Sequence, residues 1–168
     1  MTEVDSANLI YVMGPSGAGK DSLLGFACER IGTCVMFAHR YITRIVADGE
    51  NHIALTHDEF AARLSYGLFA MHWDSLGLRY GIGIEVDAWL ARGVTVVVNG
   101  SRKHAQIALE RYPQARFVHI DAAPAVLAAR LARRPAFELP DGARIVRIDN
   151  SGMLAEAGTQ LLDVLGAG

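Results

Sequence analysis

The nine residues Gly14-Pro15-Ser16-Gly17-Ala18-Gly19-Lys20-Asp21-Ser22 limit what this chain can fold into more than any other stretch. They follow the apolar run Leu9-Ile10-Tyr11-Val12-Met13 and precede Leu23-Leu24-Gly25-Phe26-Ala27, the order of a strand, a glycine-rich turn and a helix. A turn of that kind aims several backbone N–H groups, and the positive end of the helix dipole, at one point, which suits a polyphosphate such as ATP. The phosphate-loop pattern asks for Gly, four free positions, Gly-Lys and then a hydroxyl residue. Gly14, Gly19 and Lys20 meet it, while Asp21 stands where the hydroxyl that touches Mg²⁺ belongs. A carboxylate can ligate the same hard cation, making Asp21 the metal candidate, but it adds negative charge beside phosphates and is tolerable mainly with a divalent metal bound. The alternative is a glycine-rich turn with no ligand.

At 168 residues the chain suits a single domain, and 51% hydrophobic content argues against wholesale disorder. Sixteen basic residues against eighteen acidic leave a net charge of −2, so bulk charge draws the chain to neither nucleic acid nor a membrane surface. Cys28 and Cys34 lack CxxC spacing and read as buried thiols, small apolar fillers in a reducing compartment. With no basic-then-apolar start and no run near the roughly 20 apolar residues of a membrane span, the expected location is cytoplasmic.

Apolar runs of strand length alternate with stretches of helical period, the signature of an α/β fold with a parallel sheet covered by helices. Strands are expected near Leu9 to Met13, Cys34 to Ala38, Val94 to Asn99, Arg116 to Asp121 and Ile145 to Ile148. Helices are expected near Asp21 to Ile31, Ile84 to Ala91, His104 to Tyr112, Ala125 to Arg133 and Met153 to Leu165. Val94-Thr95-Val96-Val97-Val98 is β-branched throughout and belongs mid-sheet. The segment from His39 to Ile82 breaks the rhythm, with turn residues at Asp48-Gly49 and Gly77 and a short amphipathic stretch from Asp58 to Leu64. It reads as an acceptor-binding subdomain inserted at 39–82.

His39-Arg40-Tyr41-Ile42-Thr43-Arg44 directly follows the second strand, at the carboxyl edge where ligands bind in open α/β sheets. Arg offers a planar fork of donors that matches phosphate oxygens, and Tyr adds an O–H, so Arg40, Tyr41 and Arg44 suit a phosphate clamp; a solvated basic loop is the other reading. His39 and His52 could donate to phosphate or serve as structural histidines. Ser101 can cap the helix that follows the third strand, and Arg102 can face an anion there.

The phosphate loop, Arg40-Tyr41-Ile42-Thr43-Arg44, Glu50-Asn51-His52-Ile53-Ala54-Leu55, Tyr80-Gly81-Ile82-Gly83 and Val98-Asn99-Gly100-Ser101-Arg102 together, in this order, resemble the ribose 1,5-bisphosphate phosphokinases of phosphonate breakdown, themselves similar to guanylate kinases. The resemblance runs from Leu9 to about Arg134 and resumes over Phe137 to Gly152. It implies a phosphate-loop NTPase fold and transfer of the γ-phosphoryl group of ATP to a sugar phosphate, giving 5-phosphoribosyl 1-diphosphate. It further implies that Gly14 to Ser22 hold ATP and that Arg40, Tyr41, Arg44 and Tyr80 bind the acceptor; His52, Ser101 and Arg102 are further acceptor candidates, Lys20, Arg40 and Arg44 would neutralise charge in catalysis, and Arg130 either joins them or belongs to a solvated helix face. Where guanylate kinases present a glutamate to guanine, this chain has Met71, and a thioether cannot read guanine. His72 and Trp73 beside it either wall off a smaller pocket or, for Trp73, anchor the subdomain.

Two departures stand out. Many phosphate-loop enzymes end the third strand in a Mg²⁺-ordering aspartate, whereas this one ends in Asn99, so Asp21 is expected to supply the carboxylate that position 99 lacks. After Arg130, Arg133 and Arg134 the family's arginine-bearing lid helix is shortened before Pro135 to Gly142. That predicts slow turnover or wasteful ATP hydrolysis. A guanylate kinase activity and a lid-deficient nucleotide-binding or interaction module remain the competing readings.

Overall fold

The computed structural model describes residues 6–33, 35–45, 51–129 and 139–166. Along the chain these form β1 (Leu9–Met13), α1 (Lys20–Arg30), β2 (Val35–Phe37), β3 (Arg40–Ile42), β4 (His52–Ala54), α2 (His57–Ser65), β5 (Phe69–Ser75) and β6 (Leu78–Gly83). There follow α3 (Glu85–Leu90), β7 (Thr95–Asn99), a 3-10 turn (Arg102–His104), α4 (Ala105–Arg111), β8 (Arg116–Asp121), α5 (Pro124–Ala129), β9 (Arg144–Asp149) and α6 (Leu154–Leu165).

Five strands form one sheet in the order β2-β7-β1-β8-β9, with every neighbouring pair parallel. Because side chains alternate along a strand, a strand covered on both faces must be apolar at every position. β1 meets that demand, with all five residues buried. Ile10 and Val12 pack with Leu23 and Ala27 of α1 and Leu161 of α6, while Leu9, Tyr11 and Met13 pack with Val86 and Leu90 of α3 and Ala105 and Ala108 of α4. Since all five strands run in parallel, the phosphate loop, Ala38, Asn99, Asp121 and Asn150 leave the sheet along one carboxyl edge.

Residues 40–83 build a second sheet, in the order β4-β3-β6-β5. β3 pairs parallel to β4 and antiparallel to β6, and β5 and β6 form a hairpin. Its turn residues Leu76 (φ 51°) and Gly77 (φ 76°) both take positive φ, the backbone of a hairpin turn whose twist matches the strands it joins. Thr56 caps α2, its hydroxyl accepting from Glu59 N–H at 3.1 Å, so the amphipathic stretch seen in the sequence has a defined start. The four strands were not expected from the sequence, because three-residue strands such as β3 and β4 are too short to show a period of two.

Cys28 corrects an expectation: it is exposed on α1 rather than a buried filler, because it sits one turn beyond Leu24 at the edge of the helix's buried face, where an open cavity rather than the core lies against it. Cys34, Asp48-Gly49, the candidate Arg130 and the expected lid stretch with Arg133 and Arg134 lie outside the described residues.

Candidate functional site

The phosphate loop closes through two short-range bonds, Ala18 N–H to the Pro15 carbonyl at 3.2 Å and Leu23 N–H to the Gly19 carbonyl at 3.0 Å. Gly17 (φ 82°) and Gly19 (φ 80°) take the left-handed conformation that side chains resist, so Gly17 occupies a formally free position of the pattern yet is fixed by backbone geometry. Gly14 is needed for a different reason. A Cβ there would run into the backbone carbonyl of Ile120 on the neighbouring β8.

Lys20 opens α1. Part of the residue stays in solvent, but its ammonium sits among protein atoms. Desolvation lowers its pKa most, Asp21 pulls it back up, and Arg40 and Arg102 push it down again. Cations from β3 and the 3-10 turn therefore lie close to Lys20, with the carboxylate of Asp21 among them, a balance that a bound polyphosphate would relieve.

Asp21, half-exposed, is that carboxylate. Its Oδ1 accepts from Asn99 Nδ2 at 2.8 Å and lies 3.6 Å from the largely buried guanidinium of Arg40. Arg40 Nε and Asn99 Oδ1 are buried with no hydrogen-bond partner among the described residues. Leaving such groups unmade costs about 1–3 kcal/mol each, so a guanidinium N–H and an amide oxygen beside the loop are the groups expected where an anion and a cation bind. The donor set fits ATP with Mg²⁺: backbone N–H groups and Lys20 for phosphate, and the carboxylate of Asp21 for the metal. No group of three or more His, Cys, Asp or Glu residues that could hold a metal by itself occurs among the described residues.

The remaining acceptor-side candidates are spread over the second sheet. His52 is buried and pairs in register with Arg40 across β3 and β4. Tyr41 donates its O–H to Glu85 Oε1 at 3.1 Å, and burial, then Glu85, raises its pKa, so it stays a phenol. Arg44 follows β3 and is half-buried. Tyr80 stacks on Trp73 with ring centroids 5.5 Å apart and an interplanar angle of 2°, and Trp73 in turn stacks on His104 at 6.0 Å. Trp73 thus links the second sheet to the residues after β7, while His72 is exposed on the opposite face of β5. Ser101 makes no side-chain cap. Its N–H and carbonyl both bond the Tyr11 hydroxyl at 2.9 Å, and its Oγ meets His104 Nδ1 at 3.1 Å.

Lys20, Asp21, Arg40 and Arg102 are thus brought together, whereas Tyr41 is turned to Glu85 and Tyr80 to an aromatic stack. A cavity of about 530 Å³ opens beside Asp21 and Asn99 and runs along α1 past Leu24 and Cys28 to Phe37, with His39 and Asn51 in its lining. Among the described residues its lining contains no arginine or lysine, so the candidate phosphate-binding groups Lys20, Arg40 and Arg102 lie outside it. The sequence reading missed Asn150, only 4% exposed, whose Nδ2 donates to the Ala18 carbonyl at 2.8 Å. Its one available signal was a lone polar residue at the end of a parallel strand.

Comparison with known proteins decides the family. The chain is 53% identical to the ribose 1,5-bisphosphate phosphokinase PhnN of Burkholderia pseudomallei over 178 aligned positions, covering 96% of this chain and 97% of that protein. It is 48% identical to the protein of the same name from Thiobacillus denitrificans, covering 96% of this chain and 94% of that protein. The chain belongs to the ribose 1,5-bisphosphate phosphokinase family. No protein-family model matches it. Guanylate kinase from Anaplasma phagocytophilum shares the fold, with a TM-score of 0.70 and 16% identity over 95% of this chain and 84% of that one. The parallel sheet flanked by helices, expected from the pattern of runs, is therefore the fold of a phosphate-loop kinase. The alignment to the Burkholderia phosphokinase is longer than this chain's 168 residues, so that member of the family carries residues with no counterpart here. Within the shared fold Met71 is 4% exposed and packs in the core with Trp73 and Ile82, leaving no carboxylate at that place.

Proposed function

We propose that the chain transfers the γ-phosphoryl group of ATP to the 1-phosphate of ribose 1,5-bisphosphate, giving 5-phosphoribosyl 1-diphosphate and ADP. An oxygen of the acceptor phosphate bonds to the γ-phosphorus as the bond to the ADP oxygen breaks. The nucleophile is already an oxyanion, so the protein needs no strong general base. It needs positioning and charge neutralisation.

The observation that carries this reading is Arg40, which starts in the inserted sheet and ends 3.6 Å from Asp21 in the phosphate loop, so the acceptor side and the donor side meet in one ion pair. Lys20 and the loop N–H groups would hold the ATP phosphates, and Arg40, Arg44 and Arg102 would hold the acceptor, with His52, Tyr80 and Ser101 behind them. Asp21 would hold Mg²⁺, which when bound neutralises phosphate charge. Arg130, which precedes the shortened lid in the sequence, would compensate for it in part. The burial of Met71 supports an acceptor without a base, which favours a sugar bisphosphate over GMP. The enzyme would act in the cytoplasm on a small sugar phosphate; among the described residues no helix is long and apolar enough to cross a membrane. Phosphorus NMR of the chain with ATP, Mg²⁺ and ribose 1,5-bisphosphate tests the reading. Appearance of diphosphate resonances on the sugar supports it, and an unchanged sugar bisphosphate overturns it.

A further inference from the structure

The carboxyl end of β9 reaches into the phosphate loop through one side chain. Asn150 is 4% exposed, its N–H donates to the Asp121 carbonyl at 2.7 Å, and its Nδ2 donates to the Ala18 carbonyl at 2.8 Å. A buried amide that spends a donor on a loop carbonyl restricts that loop, and here the peptide it holds joins Ala18 to Gly19. A trans peptide is planar, so the carbonyl of one residue and the N–H of the next point in opposite directions. Holding the Ala18 carbonyl toward β9 therefore turns the Gly19 N–H away from β9, and that N–H donates to no acceptor among the described residues. Gly19, at positive φ, contributes one of the two torsions of this plane, and a glycine there lets the plane rotate at little cost. The bonds from the Ala18 N–H to Pro15 and from the Leu23 N–H to Gly19 do not fix this plane, since they engage the Ala18 N–H and the Gly19 carbonyl.

We infer that Asn150 is a positioning residue for the donor nucleotide: it sets the Ala18–Gly19 peptide so that the Gly19 N–H is presented to an ATP phosphate. The inference rests on the reading of Gly14 to Ser22 as the ATP site. The strand order explains how a residue so distant in sequence can act there. β9 lies beside β8, and Asp121 at the end of β8 holds the Asn150 backbone, so the β8 and β9 ends and the loop after β1 form one connected edge. The arrangement separates the two substrates. Asn150 reaches the loop from β9 at one edge of the five-stranded sheet, while Arg40 reaches Asp21 from β3 of the inserted sheet, which follows β2 at the opposite edge.

The test uses Asn150→Asp, which keeps the side chain's size but replaces the donor with an acceptor, and Asn150→Ala, which leaves no charge against the Ala18 carbonyl and carries the same test if the first variant does not fold. For each, KM is measured for ATP and for ribose 1,5-bisphosphate, and the Gly19 amide is followed by ¹⁵N–¹H NMR as ATP is added. The expected result is a KM for ATP raised at least tenfold, a KM for the sugar bisphosphate changed by less than about twofold, and loss of the downfield shift that ATP causes at the wild-type Gly19 amide. A folded variant with unchanged KM for ATP, or one whose two KM values rise together while the Gly19 shift persists, overturns the inference and leaves Asn150 a scaffold residue. If the wild-type amide itself does not respond to ATP, the assignment of the loop to ATP fails instead, which is a separate outcome.

Discussion

Asn99 Nδ2 donates to Asp21 Oδ1 at 2.8 Å, joining the end of β7 to the first turn of α1. The two positions where the chain departs from the usual phosphate-loop kinase, a carboxylate for a hydroxyl and an amide for a carboxylate, are thus in direct contact. One unit of negative charge has been exchanged between neighbours.

Exchanging the two groups back has a definite expected pattern. Asp21→Ser removes the only carboxylate of the pair and should raise the Mg²⁺ concentration for half-maximal activity on the order of tenfold. Asn99→Asp sets two carboxylates at hydrogen-bonding distance, where both cannot ionise freely, and should lower kcat at pH 7. The double variant should recover part of both losses. Mg²⁺ titrations of the three proteins check this, and an unchanged Mg²⁺ requirement in Asp21→Ser refutes it.

The loop glycines should fail for different reasons. Gly17→Ala forces a side chain into positive φ, which costs roughly 1–2 kcal/mol, whereas Gly14→Ala drives a Cβ into the Ile120 backbone carbonyl and must separate β1 from β8. Thermal unfolding is expected to rank Gly14→Ala as the more destabilised. The reverse order would mean that β8 yields more easily than the loop.

Met71→Glu should not create a guanylate kinase. The side chain lies in the core beside Trp73, so a carboxylate there is buried without a partner, at a cost of about 3 kcal/mol. The expected outcome is a lowered melting temperature and no turnover of GMP. Efficient GMP phosphorylation by the variant would show that an open pocket exists beside this position.

His104 gives stability a pH dependence whose sign can be stated. Burial under Trp73 lowers its pKa most, Lys103 lowers it further, and Asp74 opposes both. The unfolded chain then takes up a proton below about pH 6.5 that the folded chain refuses, so stability falls as pH drops from that value toward the lowered folded pKa. Melting temperatures at pH 7.5 and 5.5 should differ more for the wild type than for His104→Gln. Equal losses in the two proteins would remove His104 from the account.

Much of this was readable from residues alone, for reasons specific to each element. β1 and β7 are apolar on both faces because helices cover both, and that continuity cannot be mistaken for a surface strand. Gly14 and Gly19 stand at fixed positions because a Cβ at Gly14 would strike the Ile120 carbonyl and Gly19 takes positive φ where the strand turns into the helix. The second sheet was hidden because β3 and β4 have only three residues each, and their pairing depends on contacts remote in sequence. Asn150 was hidden likewise, since its bond to the Ala18 carbonyl spans 132 residues. The orientation of Tyr41 toward Glu85 was equally beyond a reading of its own motif.

The central claim is that this site joins ATP to a sugar bisphosphate. It is tested most directly by counting products: moles of 5-phosphoribosyl 1-diphosphate formed per mole of ADP released, with ribose 1,5-bisphosphate and with GMP as acceptor. The account expects product from the sugar bisphosphate and none from GMP. If the lid is as short as the sequence after Arg134 predicts, ADP is expected in excess of product, because water would reach the transferring group. Tight one-to-one coupling at a rate typical of kinases would contradict the short-lid expectation, and phosphorylation of GMP in preference to ribose 1,5-bisphosphate would contradict the claim itself.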